Sequence, residues 1–350
     1  MSKVLDNKCP SCGAAIHFKP ELGKFKCDYC DNEYTAEQLK DMDKLSEDVG
    51  EDSLSCSYDS YNCPDCGAQI ITDSNTAATF CVYCGNTSII KDRLSFEFKP
   101  KYIIPFKMEK SKAIDAFKGL RRGRPLVPRD FISESNIEKI QGVYIPFWLY
   151  DVNVSGTVNI KATKVSSWSR GDTHYTKTDY YNVVRGGDMS FSRVPVDGST
   201  RFNNDMMNSI EPFDYSKLID YNHAYLSGFL AERYDVSRDD AFGDCKIRTL
   251  NSTRDEMLSS VVGYSSKSVT SSDLSASMSS CDYVLLPVWM VNVKYNGEYY
   301  LFAMNGESGK FIGNIPLDKK KAFFMTIFVF VISFLICILI SYIVFVGGMA

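Results

Sequence analysis

Histidine is scarce in this chain, with three among 350 residues, and tryptophan is equally scarce. Imidazole is the side chain best suited to acid–base work near neutral pH, so three copies leave little room for histidine-based catalysis. A basic surplus is also lacking: 39 Lys plus Arg stand against 43 Asp plus Glu, a formal net charge of −4. That balance is no footprint of a protein that neutralises a phosphate backbone. The N-terminal stretch MSKVLDNKCP has no apolar run, which excludes a signal peptide there. No H-E-x-x-H and no G-x-S-x-G occurs. Gly306-Glu307-Ser308-Gly309-Lys310-Phe311 resembles the end of a phosphate-binding loop. Met304, however, stands where the first glycine belongs, and Phe311 replaces the hydroxyl that would hold magnesium. The segment reads as a β-turn. With 45% apolar and 23% charged residues the composition is that of a folded protein.

The last 29 residues, 322–350, carry no charge. Residues 322–346 hold nothing more polar than Thr, Ser, Tyr and Cys. As a helix they would span roughly 37 Å, enough to cross a hydrocarbon core of about 30 Å. Lys319, Lys320 and Lys321 stand immediately before this run, which places the N-terminal bulk on the cytoplasmic side. The expectation is a tail-anchored, single-pass protein of the cell membrane.

Cysteine is abundant, and nine of the twelve lie before residue 85. Cys9-Pro-Ser-Cys12 is followed by Cys27-Asp-Tyr-Cys30, and Cys63-Pro-Asp-Cys66 by Cys81-Val-Tyr-Cys84. Each cysteine of the second set stands 54 residues after its counterpart, and the neighbours repeat as well, CPSCGAAI against CPDCGAQI. This is a duplication of a four-cysteine zinc ribbon. Two residues between cysteines let both thiolates of a knuckle face one ion, and two knuckles complete a closed tetrahedral site of four sulfurs. Such a site is structural, and it supplies the folding energy that a ribbon of about thirty residues cannot draw from its core. Two Zn(II) ions are expected; iron in a rubredoxin-like site would use the same ligands. A cytoplasmic location disfavours disulfides. Residues 1–92 carry eight Lys and sixteen Asp plus Glu, a formal −8, so nucleic acid would be repelled. The ribbons read as a protein-binding module or a cap on the rest of the chain.

The predicted organisation is α+β. It comprises a ribbon with a short helix over 1–44 (capping box at Thr35 and Gln38), an acidic linker over 45–60, a second ribbon over 61–92, a mixed sheet and helix domain over 94–321, and a membrane helix over 322–346. Within the large domain, apolar spacing predicts helices over 111–121, after Pro128, and over 215–234. Alternation predicts strands over 143–165, 175–195 and 282–315, with turns at Asn296-Gly297 and Asn305-Gly306. The serine-rich stretch 264–280 has no readable fold. Pro146-Phe147-Trp148 and Pro287-Val288-Trp289 carry Gly156 and Gly297 at the same offset, so both strands should end at a turn glycine and should pair or occupy equivalent places in one sheet. Trp148 and Trp289 are candidates for the sheet core or for a pocket wall. Arg121, Arg122 and Arg124 form the densest basic cluster and, with Lys319 to Lys321, are candidates for contact with anionic lipid headgroups. Asp172 and His174 have no visible nucleophile partner, and His223, Cys245 and Cys281 read as structural.

The ribbon pair, YIPFWLYDV, VPVDGS, the stretch from EPFDY to YLSGFLAERYDV, LLPVWMVNV and MNGESGKFIGNIP together resemble bacterial TFIIB-type zinc-ribbon-containing membrane proteins over nearly the whole chain. Members have been labelled primosomal helicases; the missing phosphate-binding loop argues against a motor here. The resemblance implies a scaffold at the membrane, with SPFH-domain or phage-shock-type membrane proteins as partners. The resulting expectation is a non-enzymatic adaptor that recruits protein partners at the cytoplasmic membrane face. A membrane-tethered nucleic-acid binder and a hydrolase or ligand-binding enzyme built on 94–321 are its rivals.

Overall fold

The computed structural model describes residues 9–39, 58–73, 81–84, 90–92, 100–128, 130–133, 136–137, 139–201 and 204–347. Its fold is α+β. The first ribbon is a small antiparallel sheet of β1 (Ile16–Lys19), β2 (Lys24–Cys27) and β3 (Glu33–Tyr34). Thr35 Oγ1 accepts the Gln38 amide at 3.3 Å while Gln38 Oε1 accepts the Thr35 amide at 2.8 Å, so the capping box forms and opens a helical turn over 36–39. The remainder of that predicted helix, Cys56 and most of the predicted linker lie outside the described residues. The second ribbon contains β4 (Tyr58–Asn62), β5 (Gln69–Asp73) and β6 (Ile90–Asp92). Its first strand begins at Tyr58, so the last three residues of the predicted linker 45–60 belong to a strand.

The large domain continues with β7 (Tyr102–Ile103), α1 (Lys110–Gly119), β8 (Gln141–Arg170), β9 (Thr173–Asp197), α2 (Asn204–Ile210), β10 (Ile219–Asp220), β11 (Leu230–Glu232), α3 (Arg238–Ser259), β12 (Ser266–Tyr295), β13 (Glu298–Asn305), β14 (Phe311–Gly313) and α4 (Lys319–Gly347). The strands of one sheet run β10-β7-β12-β8-β11-β5-β4-β6. In addition β9 pairs with β8, and β13 with both β12 and β14. Ribbon 2 is therefore part of the central sheet. Its β5 pairs antiparallel with β11, Ala231 opposite Ile71, and no boundary at 92–94 divides the sheet.

Residues 142–150 of β8 are buried without interruption, the mark of a strand covered on both faces. Tyr144, Trp148, Tyr150, Val152 and Val154 pack on one side with ribbon 1, α1 and α3. Val143, Ile145, Phe147 and Leu149 pack on the other with Cys63, Cys81, Val82 and α2. Successive side chains of a strand point to opposite faces, so the duplicated cysteine motifs dock on opposite faces of one sheet. Beyond residue 150, β9, β8 and β12 continue as a three-stranded blade. α3 covers one face of it through Val158, Ile160, Met257, Leu258 and Val261. The other face carries small polar side chains paired across strands, Ser155 with Ser275 and Asn159 with Ser271. That pairing accounts for the serine-rich stretch 264–280, which is the outer strand of the blade. Both strands of the PFW and PVW motifs lie side by side, Val288 opposite Val143.

After Pro128, Asn136 and Ile137 are helical, with the Ile137 amide donating to Ser133 O, and Ile140 closes a turn onto Ile137. Phe131 and Ile140 reach the core. Two expectations need correction. Over 215–234 there are two 3-10 turns, β10 and β11 instead of a helix. The Asp214 and Asn222 carboxyl and amide oxygens accept the Ser216 and Ala224 amides, a local bonding that competes with helix. Gly228 at φ +87° then turns the chain. Finally, Gly156 ends no strand: it lies inside β8 at φ +143°, where a Cβ would come within 2.0 Å of the Asp273 carbonyl oxygen. Gly297 does make the predicted turn, with Asn296 and Gly297 both at positive φ.

Candidate metal centres

Each knuckle is shaped by its own backbone. Cys9 donates its amide to Ala14 O and Gly13 donates to Cys9 O; Cys63, Ala68 and Gly67 repeat both bonds. Gly13 at φ +75° and Gly67 at φ +69° supply the left-handed step that follows. The folded hairpins bring the paired knuckles together. Sγ atoms of Cys9 and Cys30 stand 3.5 Å apart, as do those of Cys12 and Cys27. In the second set, Cys63 and Cys84 stand 3.5 Å apart and Cys66 and Cys81 3.6 Å. All four sulfurs of each set lie within 4.8 Å of one another. Four thiolates about 2.3 Å from one ion would sit about 3.8 Å apart in a tetrahedron, so both sets fit a metal ion with no position left for water. One thiolate of each set is favoured locally, while Cys12, Cys30 and Cys81 are raised. Desolvation opposes ionisation of Cys9, yet hydrogen bonds from the Tyr34 hydroxyl and the Ser11 and Cys12 amides outweigh it and pull the thiol down to about 6. Cys63 is lowered too, where the Cys66 and Asp65 amides overcome burial.

Both ribbons are fastened to the domain. In ribbon 1, Phe18 and Phe25 pack against Tyr225 at 5.0 and 5.1 Å between ring centroids. His17 Nδ1 lies 3.1 Å from Ser227 Oγ, whose hydroxyl donates to Ile16 O. His17 therefore serves the docking, with Asp28 on its other nitrogen at 2.9 Å. In ribbon 2, the Tyr83 hydroxyl, between Cys81 and Cys84, donates to Glu232 Oε2 at 2.8 Å. Arg201 donates to Gly67 O and to Asp235, and its Nε stands 3.5 Å from Glu232. Ser199 donates to Glu232 Oε1 at 2.9 Å. Burial pushes the Glu232 carboxyl up to about 7. Burial and the nearby Glu232 charge push Asp197 up to about 8. An open cleft of about 730 Å³ lies beside this network, lined by Arg201, Arg233, Asp235 and Gly67 among others. The network joins the second metal centre to the sheet, and no sequence pattern announced it, because its members come from four separate segments.

The chain is 33% identical over 321 residues to the uncharacterized protein YdjG of Bacillus subtilis (strain 168), a match that covers 91% of this chain and 92% of that protein. This chain belongs to the YdjG family. No family model matches it and no solved structure matches it.

In this YdjG-family chain the other predicted residues fall as follows. Trp148 and Trp289 are both buried, 8% and 6% exposed, and their Nε1 atoms donate to Val236 O and Met108 O. Trp148 stands opposite Tyr283 and Trp289 opposite Gly142, six residues apart along each strand, so they do not wall one pocket. The segment 306–310 is the turn between β13 and β14. Its Lys310 ammonium donates to Glu211 O, and Glu307 is buried against Lys217 and the Asp214 amide. His174 is paired with Ser169 across the end of the blade. Cys245 and Cys281 lie beside Tyr150 in the core, and burial raises both thiols to about 11. Arg121, Arg122 and Arg124 occupy the exposed turn after α1, and Lys319 to Lys321 open α4. Within α4, Lys319–Ile340 is long and apolar enough to cross a membrane; its most apolar 18-residue window has a mean hydropathy of 3.1 and none of it is buried.

Proposed function

We propose that this protein is a non-enzymatic adaptor anchored in the cell membrane by its C-terminal helix, with both four-cysteine sites filled by structural Zn(II). Its ribbons and blade present surfaces to protein partners in the cytoplasm. The observation that carries this reading is the length and placement of the blade. Strand β8 runs 30 residues, roughly 95 Å when extended. Its far end is capped by the β8–β9 hairpin. The foot of α4 lies at the opposite end, because the Asp318 amide donates to Leu126 O and nearby Phe131 packs on Tyr295 and Tyr300, at the base of β12 and β13. The distal hairpin exposes Trp168, Tyr175, Tyr180 and Val184, with Trp168 stacked on Tyr175. Aromatic side chains of this kind, raised far from an anchor, favour capture of a protein surface. The −8 charge of residues 1–92 favours a protein over a nucleic acid.

The test is photo-crosslinking of the full chain in its native membrane, with the reactive group at Tyr180 or at the exposed Tyr29 of ribbon 1. Recovery of the same protein in repeated preparations supports the adaptor. Crosslinks to nucleic acid alone, or to no protein from either position, would overturn it.

A further inference from the structure

The two basic clusters are far apart in sequence but meet in the fold. The Asp318 amide donates to Leu126 O at 2.9 Å, tying the residue before α4 to the turn that carries Arg121, Arg122 and Arg124. That turn is built by its own backbone, with Arg122 donating to Gly119 O, Arg124 to Arg121 O and Val127 to Arg124 O, and with Gly123 at φ +75°. All three guanidinium side chains and all three lysines at 319–321 are exposed. Among the described residues only Lys321 of the six has a carboxylate within 4.0 Å, Asp318 at 3.2 Å. The Asp318 carboxylate is further committed to the Lys321 amide, which caps the start of the helix and holds this acid well ionised. Five cations thus surround the root of an apolar helix without acidic partners among the described residues.

We propose that Arg121, Arg122 and Arg124 join Lys319, Lys320 and Lys321 in one basic collar that binds anionic phospholipid headgroups. This rests on the reading of α4 as a membrane helix and goes beyond it. An inserted helix needs only its own flanking lysines, whereas the collar recruits a distant turn. Insertion holds the turn beside the headgroup plane, within the Debye length of about 8 Å that limits such attraction. Guanidinium groups can then donate two parallel hydrogen bonds to a phosphate. Each basic side chain near an anionic surface strengthens partition about fivefold, so three arginines added to three lysines convert a simple anchor into a lipid-selective one. Docking of the domain base on the bilayer would follow.

The experiment uses the full chain reconstituted into vesicles of phosphatidylcholine alone or with added phosphatidylglycerol. Amide exchange of residues 119–127 is read by mass spectrometry, and carbonate extraction is run in parallel. The expected result is exchange at least about fivefold slower in the anionic vesicles, restored by high salt. The triple variant Arg121→Glu, Arg122→Glu, Arg124→Glu should lose that protection while still resisting carbonate, because the turn is exposed and supported by backbone bonds. Equal exchange in both vesicles would overturn the collar. So would protection gained in phosphatidylcholine vesicles on adding inorganic phosphate, which would assign the site to a free anion. A chain washed by carbonate from both vesicles would overturn the membrane reading of α4, and the collar with it.

Discussion

Glu232 and Asp197 show what single residues contribute beyond the cysteines. Both are held above the ordinary carboxyl range, at about 7 and about 8, first by burial. A carboxyl raised on folding binds a proton that the unfolded chain has already released, so its contribution is complete below about pH 4 and is lost as pH rises to about 8. Stability should therefore fall between about pH 4 and 8 and level off above. Glu232→Gln keeps an acceptor for the Tyr83 hydroxyl and removes the charge. It should flatten that fall by on the order of 1–3 kcal/mol, measured by denaturant unfolding at several pH values with metal present. An unchanged slope would show that Glu232 stays ionised throughout. At this scale the sequence was legible for the metal ligands. Eight cysteines at fixed spacing carry their chemistry in one dimension, and the fold brings each set of four within 4.8 Å. It was not legible for the acid network, whose members Tyr83, Asp197, Ser199, Arg201 and Glu232 meet only through β11 and its neighbours.

At the scale of elements, the hydrophobic period was a good guide where burial is simple. The helix at 110–119 follows its apolar period and the strands at 141–170 and 173–197 their alternation, whereas of the strand at 266–295 only the part from 282 was legible, its serine-rich first half having no apolar face. α3 is the instructive omission: nothing in the apolar period announced this helix of 22 residues. Its buried stripe is Ala241, Cys245, Thr249 and Thr253, four residues apart and too polar to register as a hydrophobic face. Its cap was the available signal, since Ser237 accepts the Asp240 amide and donates to the Asp240 carboxylate. The converse error occurred over 215–234. Apolar residues there recur at helical intervals, yet the side chains of Asp214 and Asn222 bind local amides and Gly228 adopts positive φ. Gly156 carries the sharpest prediction for an element. A Cβ there would collide with the Asp273 backbone at φ +143°, so Gly156→Ala should part β8 from β12 and lower stability by about 2–4 kcal/mol. Gly187 lies in the adjacent strand with no atom within 4 Å of its Cβ position, so Gly187→Ala should cost under about 1 kcal/mol. Comparison of the two melting temperatures checks the claim, and equal losses would refute it.

For the whole molecule, the two four-cysteine centres hold one sheet from opposite faces but by different means. Ribbon 1 stacks on the sheet as a separate three-stranded unit, whereas ribbon 2 contributes strands to it. Cys9→Ser should therefore release one metal ion and loosen ribbon 1 with the rest of the domain intact. Cys63→Ser should release one ion and lower the melting temperature of the entire sheet. Metal content by elemental analysis, which also distinguishes zinc from iron, and amide exchange in β8 and β11 separate these outcomes. A Cys63 variant with normal exchange in β11 would contradict the integration of ribbon 2. The pairing of β5 with β11 was hidden from the sequence because it joins segments separated by about 160 residues, and no local pattern encodes such a partner. The blade follows the same logic: two of its three strands were visible, but the serine-rich third and the blade's reach became clear only once the register was known.

The adaptor account stands on that reach. The most direct measurement places a fluorophore at position 168, at the tip of the blade, in the full chain reconstituted in vesicles, and reads energy transfer to acceptor-labelled headgroups. A second fluorophore position at Lys320 serves as the near reference. The account predicts strong transfer from position 320 and none above background from position 168, since roughly 95 Å of strand separates the tip from the foot. Transfer from position 168 as strong as that from position 320 would mean that the aromatic tip lies on the bilayer, and would contradict an adaptor that presents it to the cytoplasm.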